Sequence, residues 1–302
     1  MRIIITGGTG LIGQALTNNL TADGHEVIVL SRTPEKVTNL PSRAKAERWD
    51  GRTATGWGRL ADGSRAIVNL AGENLASGRW NAERKQRIRI SRLDAGRAVV
   101  EAVEMVERKP KVVIQASAVG YYGPRGNEEI TEEDTAGNDF LAQLCVDWES
   151  STVPVESLGV RRAIIRTGAV LSSEDGALPQ LMLPFKFFVG GPIGSGQQWF
   201  PWIHLADEVA AIRYLLDNEA AVGPFNLSAP TPLTNTEFSR MLGRVLRRPA
   251  IMPTPGFAVR LVFGEMSTVV LNGQRVVPQR LQQLGFTFRF SEAEAALRDL
   301  LR

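Results

Sequence analysis

Along the first part of the chain, apolar residues come in two textures that take turns. Ile3-Ile4-Ile5, Val27-Ile28-Val29-Leu30, Ala66-Ile67-Val68, Val112-Val113-Ile114 and Ala163-Ile164-Ile165 are short unbroken runs, the pattern of strands covered on both faces. Between them, apolar positions recur at helical spacing from Gln14 to Leu20, near 81–107 and near 138–150. Strand and helix in alternation predict an α/β fold, a Rossmann-like, doubly wound parallel sheet. After residue 170 the rhythm breaks, with Pro179, Pro184, the glycine-rich run Gly190–Gly196, and then Pro224, Pro230, Pro232, Pro249, Pro253 and Pro255. We read 1–222 as a Rossmann domain, with 170–200 contributing to the substrate side and the helix near 206–218 returning to the main sheet. Residues 223–302 then form a smaller C-terminal, substrate-side domain.

The first strand leads directly into Thr6-Gly7-Gly8-Thr9-Gly10-Leu11-Ile12-Gly13 and a helix. Gly7, Gly10 and Gly13 allow positive φ, close approach of the backbone to a diphosphate and tight helix–strand packing, while the N–H groups at Leu11, Ile12 and Gly13 face the anion. Strand, turn, helix and a second strand together predict a dinucleotide site. That second strand ends in Ser31-Arg32-Thr33, where a carboxylate would grip the ribose of NAD. A guanidinium suits the 2′-phosphate of NADP(H) instead. A charge-assisted hydrogen bond there corresponds to about a ten- to hundredfold preference over NAD(H). Ser31 and Thr33 add hydroxyl donors.

Composition narrows the class without changing it. The chain is 43% apolar, as globular proteins are, and its net charge of +3 argues for no polyanionic partner. The densest basic run, Arg84 to Arg92, has no interleaved aromatics, so it reads as a solvated helix face or a homodimer contact rather than a nucleic-acid surface. One cysteine, Cys145, and two histidines, His25 and His204, give no basis for a disulfide or a metal site. With a strand opening at residue 2 and no run of membrane length, a cytoplasmic protein acting on a small molecule is expected.

Four motifs in order, Thr6-Gly7-x-x-Gly10-x-x-Gly13, Asn69-Leu70-Ala71-Gly72, Ser117-x-x-x-x-Tyr122-Gly123 and Arg166-Thr167-Gly168, resemble the extended short-chain dehydrogenase/reductases, the group of nucleotide-sugar epimerases and dehydratases. Leu70–Asn74, Gly190–Gly196, Phe200–His204 and Gln274–Arg280 are similar to an epimerase-like branch that ends in a small domain of unknown function, at times labelled SulA-like. The resemblance implies NADP(H) in the Rossmann half, Asn69, Leu70, Ala71 and Gly72 beside the adenosine, Asp50 at the adenine amine, and Ser117 near the nicotinamide.

The chain departs from that group at its acid/base pair. A Tyr-x-x-x-Lys pair belongs on the helix after the Ser117 strand, where the lysine readies the tyrosine for proton exchange. Here Leu141 stands at the tyrosine position and Cys145 at the lysine position, and no lysine occurs from 112 to 185. Candidate replacements are Ser117, Tyr121, Tyr122 and His204, with Cys145 read as a small core residue. The loop 190–196 reads as a flexible lid between apolar walls, and Arg166, Arg275 and Arg280 as candidates to receive an anionic group. Two functions stay open. One is an oxidoreductase or epimerase acting on a carbonyl or carbinol with a relocated proton donor. The other is a binder of NADP(H), regulatory or scaffolding, that has lost catalysis.

Overall fold

The computed structural model describes residues 1–301. Eleven strands follow one another as β1 Arg2–Thr6, β2 Glu26–Ser31, β3 Ala44–Arg48, β4 Ala66–Asn69, β5 Val112–Ala118, β6 Glu129–Ile130, β7 Arg161–Thr167, β8 Ala169–Leu171, β9 Trp202–His204, β10 Gly223–Leu227 and β11 Arg275–Val276. Seven of them make one sheet in the order β10-β7-β5-β4-β1-β2-β3, every pair parallel. The sheet continues past residue 222, since its edge strand β10 is Gly223-Pro224-Phe225-Asn226-Leu227, where Pro224 is tolerated because edge strands leave N–H groups unpaired. Strands β8 and β9 pair beside the main sheet, as do β6 and β11.

The helices are α1 Leu11–Ala22, α2 Ala82–Glu104, α3 Phe140–Ser150, α4 Pro154–Ser157, α5 Ala177–Lys186, α6 Leu205–Asp217, α7 Asn235–Leu246, α8 Gly256–Phe263, α9 Thr268–Leu271, α10 Gln279–Gln283 and α11 Ala293–Leu300. Their starts follow from side chains that accept first-turn N–H groups. Asn81 caps α2, Asp139 caps α3, and Thr234 with Glu237 forms a capping box on α7. Strand periodicity then sorts the core into two layers. Ile3 and Ile5 pack with Leu16, Leu20, Ile212 and Leu215 under α1 and α6, while Ile4, Ile67 and Val113 pack with Val99, Val103 and Trp57 under α2. A third cluster, Leu178, Phe185, Trp202, Phe238, Leu242 and Leu297, joins α5, α7 and α11 into the small C-terminal domain. No helix is long and apolar enough to cross a membrane among the described residues.

The loop 190–196 is not the free lid its glycines suggest. Gly190 O accepts from Met252 N at 3.1 Å, Thr254 N donates to Pro192 O at 2.8 Å, and Gly194 N donates to Thr254 O at 2.9 Å. Asn235 Oδ1 and Gln198 Nε2 hold Ile193 from the other side. The glycines serve close packing: a Cβ on Gly191 would lie 2.3 Å from Met252 O.

Candidate functional site

Because β2 lies on one side of β1 and β4 on the other, the chain reverses its winding there, and the crevice at the carboxyl ends of these strands is where such sheets hold ligands. The glycine turn fills that place. Gly7 sits at φ +66°, and a Cβ on it would come within 2.8 Å of the Leu70 carbonyl, so the turn is pressed against the Leu70–Gly72 loop. Gly13 is more confined still, with Gly7 O and Gly8 Cα both 2.5 Å from a would-be Cβ. Gly10 differs: its φ of −84° suits any residue and its Cβ would meet only Gly7 O, at 3.5 Å. Gly10 caps α1 with no side chain. The first helical bond runs from Gln14 N to Gly10 O, which leaves the N–H groups of Leu11, Ile12 and Gly13 directed at the crevice. An uncapped helix start beside open space fits a diphosphate.

At the end of β2, Arg32 is exposed and has no carboxylate partner among the described residues, while Ser31 Oγ accepts from Thr33 N at 3.2 Å. Next to it Arg48 donates to Arg32 O and pairs with Glu35 at 2.8 Å, a neighbouring cation that the sequence did not single out. Asp50 uses both oxygens inside its own loop, accepting from Arg52 N, Thr53 N and Thr53 Oγ1. Slight burial works against its ionised form, but those bonds prevail and hold the carboxyl below its usual range. Asn69 is fully buried. Its Oδ1 accepts from Thr6 Oγ1 at 2.6 Å and its Nδ2 donates to Gln115 Oε1 at 2.8 Å, while Ala71 N donates to Thr6 Oγ1. This relay ties the ends of β1 and β4 to the middle of β5, and thereby holds the backbone of Leu70, Ala71 and Gly72.

Beyond β4 lies a cavity of about 290 Å³. Its floor is the end of β5 and β7, with Ala118, Val119, Gly120, Thr167 and Gly168; one wall is α3, with Leu141, Leu144, Cys145 and Trp148. Arg92 of α2, the segment 198–201 and residues 268–270 and 272–274 also line it. Leu141 and Cys145 therefore face the cavity from the positions of the Tyr-x-x-x-Lys pair, without its chemistry. Burial pushes the Cys145 thiol up to about 11, so it stays protonated at neutral pH.

The sequence candidates separate in space. Ser117 Oγ donates to Glu149 Oε1 at 2.6 Å, and Tyr122 Oη donates to Asn226 Oδ1 at 2.6 Å; neither lines the cavity. Burial raises the Tyr122 phenol to about 12. Both belong to a buried network centred on Arg166, which binds Glu149 through Nε at 2.9 Å and Nη2 at 3.0 Å and donates to Tyr122 Oη at 3.1 Å. Tyr121 is half-buried with the Arg166 guanidinium 3.4 Å over its ring, and its hydroxyl has no partner among the described residues. His204 is remote: Nδ1 caps α6 by accepting from Ala206 N, the ring stacks on Phe290, and burial lowers its pKa. Arg280 is spent on the carbonyls of Pro224 and Val222, and Arg275 lies near Glu129 and over Trp199.

A titratable group with no signal in its local sequence lies beneath Thr167. Glu208, on α6, is wholly buried; Thr167 Oγ1 lies 2.9 Å from its Oε1, and Oε2 has no partner. Desolvation pushes it up to about 8. Only the fold brings the first turn of α6 under the end of β7.

The sequence profile of the NAD dependent epimerase/dehydratase family matches residues 3–228, and that of a domain of unknown function, DUF1731, matches 254–300. An epimerase family protein of Staphylococcus aureus strain N315 is 39% identical over 99% of this chain and 98% of its own. The chloroplastic epimerase family protein SDR39U1 homolog of Arabidopsis thaliana is 39% identical over 100% of this chain and 87% of its own. The crystal structure of human epimerase family protein SDR39U1, isoform 2, with NADPH superposes with a TM-score of 0.87 at 35% identity, covering 99% of each chain.

The glycines make a paired prediction. Gly10→Val should melt close to the unmodified protein yet lose NADPH binding, because its side chain enters only the space left to a ligand. Gly13→Val should instead lower the melting temperature of the free protein, because its side chain collides with backbone. Thermal melts with and without NADPH check both, and a Gly10→Val protein still stabilised by NADPH would show that the diphosphate lies elsewhere.

Proposed function

Because the chain belongs to the NAD dependent epimerase/dehydratase family, we propose that it binds NADP(H) and acts as an oxidoreductase or epimerase on a small carbonyl or carbinol compound held in the 290 Å³ cavity. The observation that carries the reading is the placement of this cavity one loop away from the glycine turn. Leu70 packs on Gly7, and Gly72 packs on Arg92, which lines the cavity. A ligand whose diphosphate lies on α1 thus reaches the cavity with its other half. The human relative with NADPH supports the cofactor, and unpaired Arg32 supports the phosphorylated form of it.

The bound nicotinamide would supply or accept hydride. The protein has to supply a proton. Thr167 lines the cavity and its hydroxyl meets Glu208, and a carboxyl pushed up to about 8 is mostly neutral at pH 7. In the neutral form its O–H can donate to Thr167 Oγ1, which frees the threonine proton for a developing alkoxide. The leaving proton is replaced from Glu208, whose anion then accepts the Thr167 hydrogen bond. Apolar walls from Leu141, Leu144 and Trp148 exclude water around the exchange.

The second reading, a cofactor binder without turnover, draws on the commitment of Ser117 and Tyr122 to the buried network and on Leu141 and Cys145 at the cavity wall. Single-turnover oxidation of bound NADPH against a panel of carbonyl compounds and nucleotide sugars separates the two. Oxidation by a panel member that slows by about a hundredfold in Thr167→Val supports the first. Oxidation retained in that variant but lost in Tyr121→Phe moves the donor to Tyr121, and silence across the panel favours the second.

Calorimetry should find NADPH bound about ten- to hundredfold more tightly than NADH, with Arg32→Ala removing most of that gap and leaving NADH affinity nearly unchanged. Equal affinities in the unmodified protein would refute the assignment of Arg32.

The Glu208 carboxyl makes a prediction that needs no substrate. Its pKa is raised on folding, so the folded state holds the proton more tightly, and the stability this gives is full below the unfolded value near 4.5 and is lost as pH rises through about 8. Within that window Glu208→Gln should remove a downward slope of up to about 1.4 kcal/mol per pH unit from urea-derived stabilities. Parallel pH profiles for the two proteins would mean that Glu208 is ionised in the fold.

A further inference from the structure

Arg92 is buried and projects from the middle of α2 into the cavity wall, where its Cζ lies 4.7 Å over the Trp148 ring. No carboxylate pairs with it among the described residues. The acidic side chain whose charge reaches it, Glu73, is turned to Arg84 at 3.7 Å and Arg87 at 3.5 Å, and offers Arg92 only its backbone oxygen. Nη1 is anchored to that oxygen at 3.1 Å and to Ile88 O at 3.0 Å, while Nε is sealed from solvent without an acceptor. Nη2 makes no bond to the described residues. Trp148 Nε1, on the same wall, is also sealed and unpartnered. A buried donor without an acceptor is costly, and with Nε sealed in that state Nη2 is left to take an acceptor from the cavity. Burial draws it down to about 10, which leaves it charged at neutral pH.

Its position limits what it can meet. A Cβ on Gly72 would fall 2.9 Å from Arg92 Cζ, so the guanidinium lies directly against the loop that crosses the switch point, while the same loop touches the glycine turn through Leu70. Arg32 marks the opposite direction, toward β2. Given the proposed NADP(H) site, on which this inference rests, we propose that Arg92 donates through Nη2 to the ribose hydroxyl oxygens on the nicotinamide side of the diphosphate, making it a cofactor-binding residue supplied by α2.

Two probes separate this role from others: NADPH, and adenosine 2′,5′-bisphosphate, which carries the adenosine end alone. Arg92→Met keeps the length and loses the charge; Arg92→Lys restores charge. Titration should find NADPH weakened about ten- to hundredfold in Arg92→Met, the bisphosphate bound within about twofold of the unmodified protein, and part of the loss recovered in Arg92→Lys. The free Arg92→Met protein should melt no lower than the original, because an uncompensated buried charge has been removed. Unchanged NADPH affinity in Arg92→Met overturns the proposal while leaving the cofactor site standing, and so does equal weakening of both probes with a lowered melting temperature, which would make Arg92 structural. If the unmodified protein binds neither probe, the cofactor reading fails and takes this one with it.

Discussion

The paired charges of Arg166 and Glu149 bind together parts of the chain that share no local sequence. Arg166 is next to last in β7, Glu149 lies on α3, and through them Ser117 of β5, Tyr122 of the turn after β5 and Asn226 of β10 are held in one hydrogen-bonded group. Arg162 adds a donor to the Glu149 carbonyl at 2.9 Å, and Glu132 receives the backbone N–H groups of Asn226 and Arg280. Burial of such a pair brings stability only when nearly every donor and acceptor is used, as it is here. The network fixes the carboxyl ends of β5, β7 and β10 relative to one another. The cavity floor is therefore rigid, and its shape is set by polar bonds beneath rather than by the apolar residues that line it.

This division explains the fate of the hydroxyls that a sequence reader would pick. Ser117 and Tyr122 are the right residue types near the right strand, yet they stabilise the platform. Where the acid/base pair would stand, Leu141 and Cys145 add apolar surface, which raises the energetic weight of any charge left in the cavity. The polar groups at this cavity come from other elements, Thr167 above Glu208 at the floor and Arg92 from the side.

The fold was legible wherever a residue's role is settled by its near neighbours. Unbroken apolar runs give strands covered on both faces, and the glycine turn between β1 and α1 is read from adjacent residues because its geometry is local. The edge strand β10 was not, since Gly223 and Pro224 carry turn signals that only pairing with β7 overrides. Loop 190–196 misled for a related reason: glycine permits both mobility and close contact, and the choice was made by strand-like bonds to residues 252–254, far off in sequence. Arg92 and Glu208 look like ordinary exposed helix charges, and their burial follows from contacts across α2–α3 and α6–β7.

Those bonds between 190–194 and 252–254 bear on how the cavity is roofed. The segment that carries α8 and α9 roofs the cavity with Thr268, Val269 and Val270, and Arg79 and Lys85 of the α2 side hold it through the Leu261 and Val262 carbonyls and Glu265. With the glycine loop locked to the base of that segment, this side of the cavity closes along α2 in a seam held by the Arg79 contacts and the Lys85–Glu265 ion pair. The ion pair in that seam weakens as ionic strength rises, so how firmly the roof is held depends on salt as well as on packing.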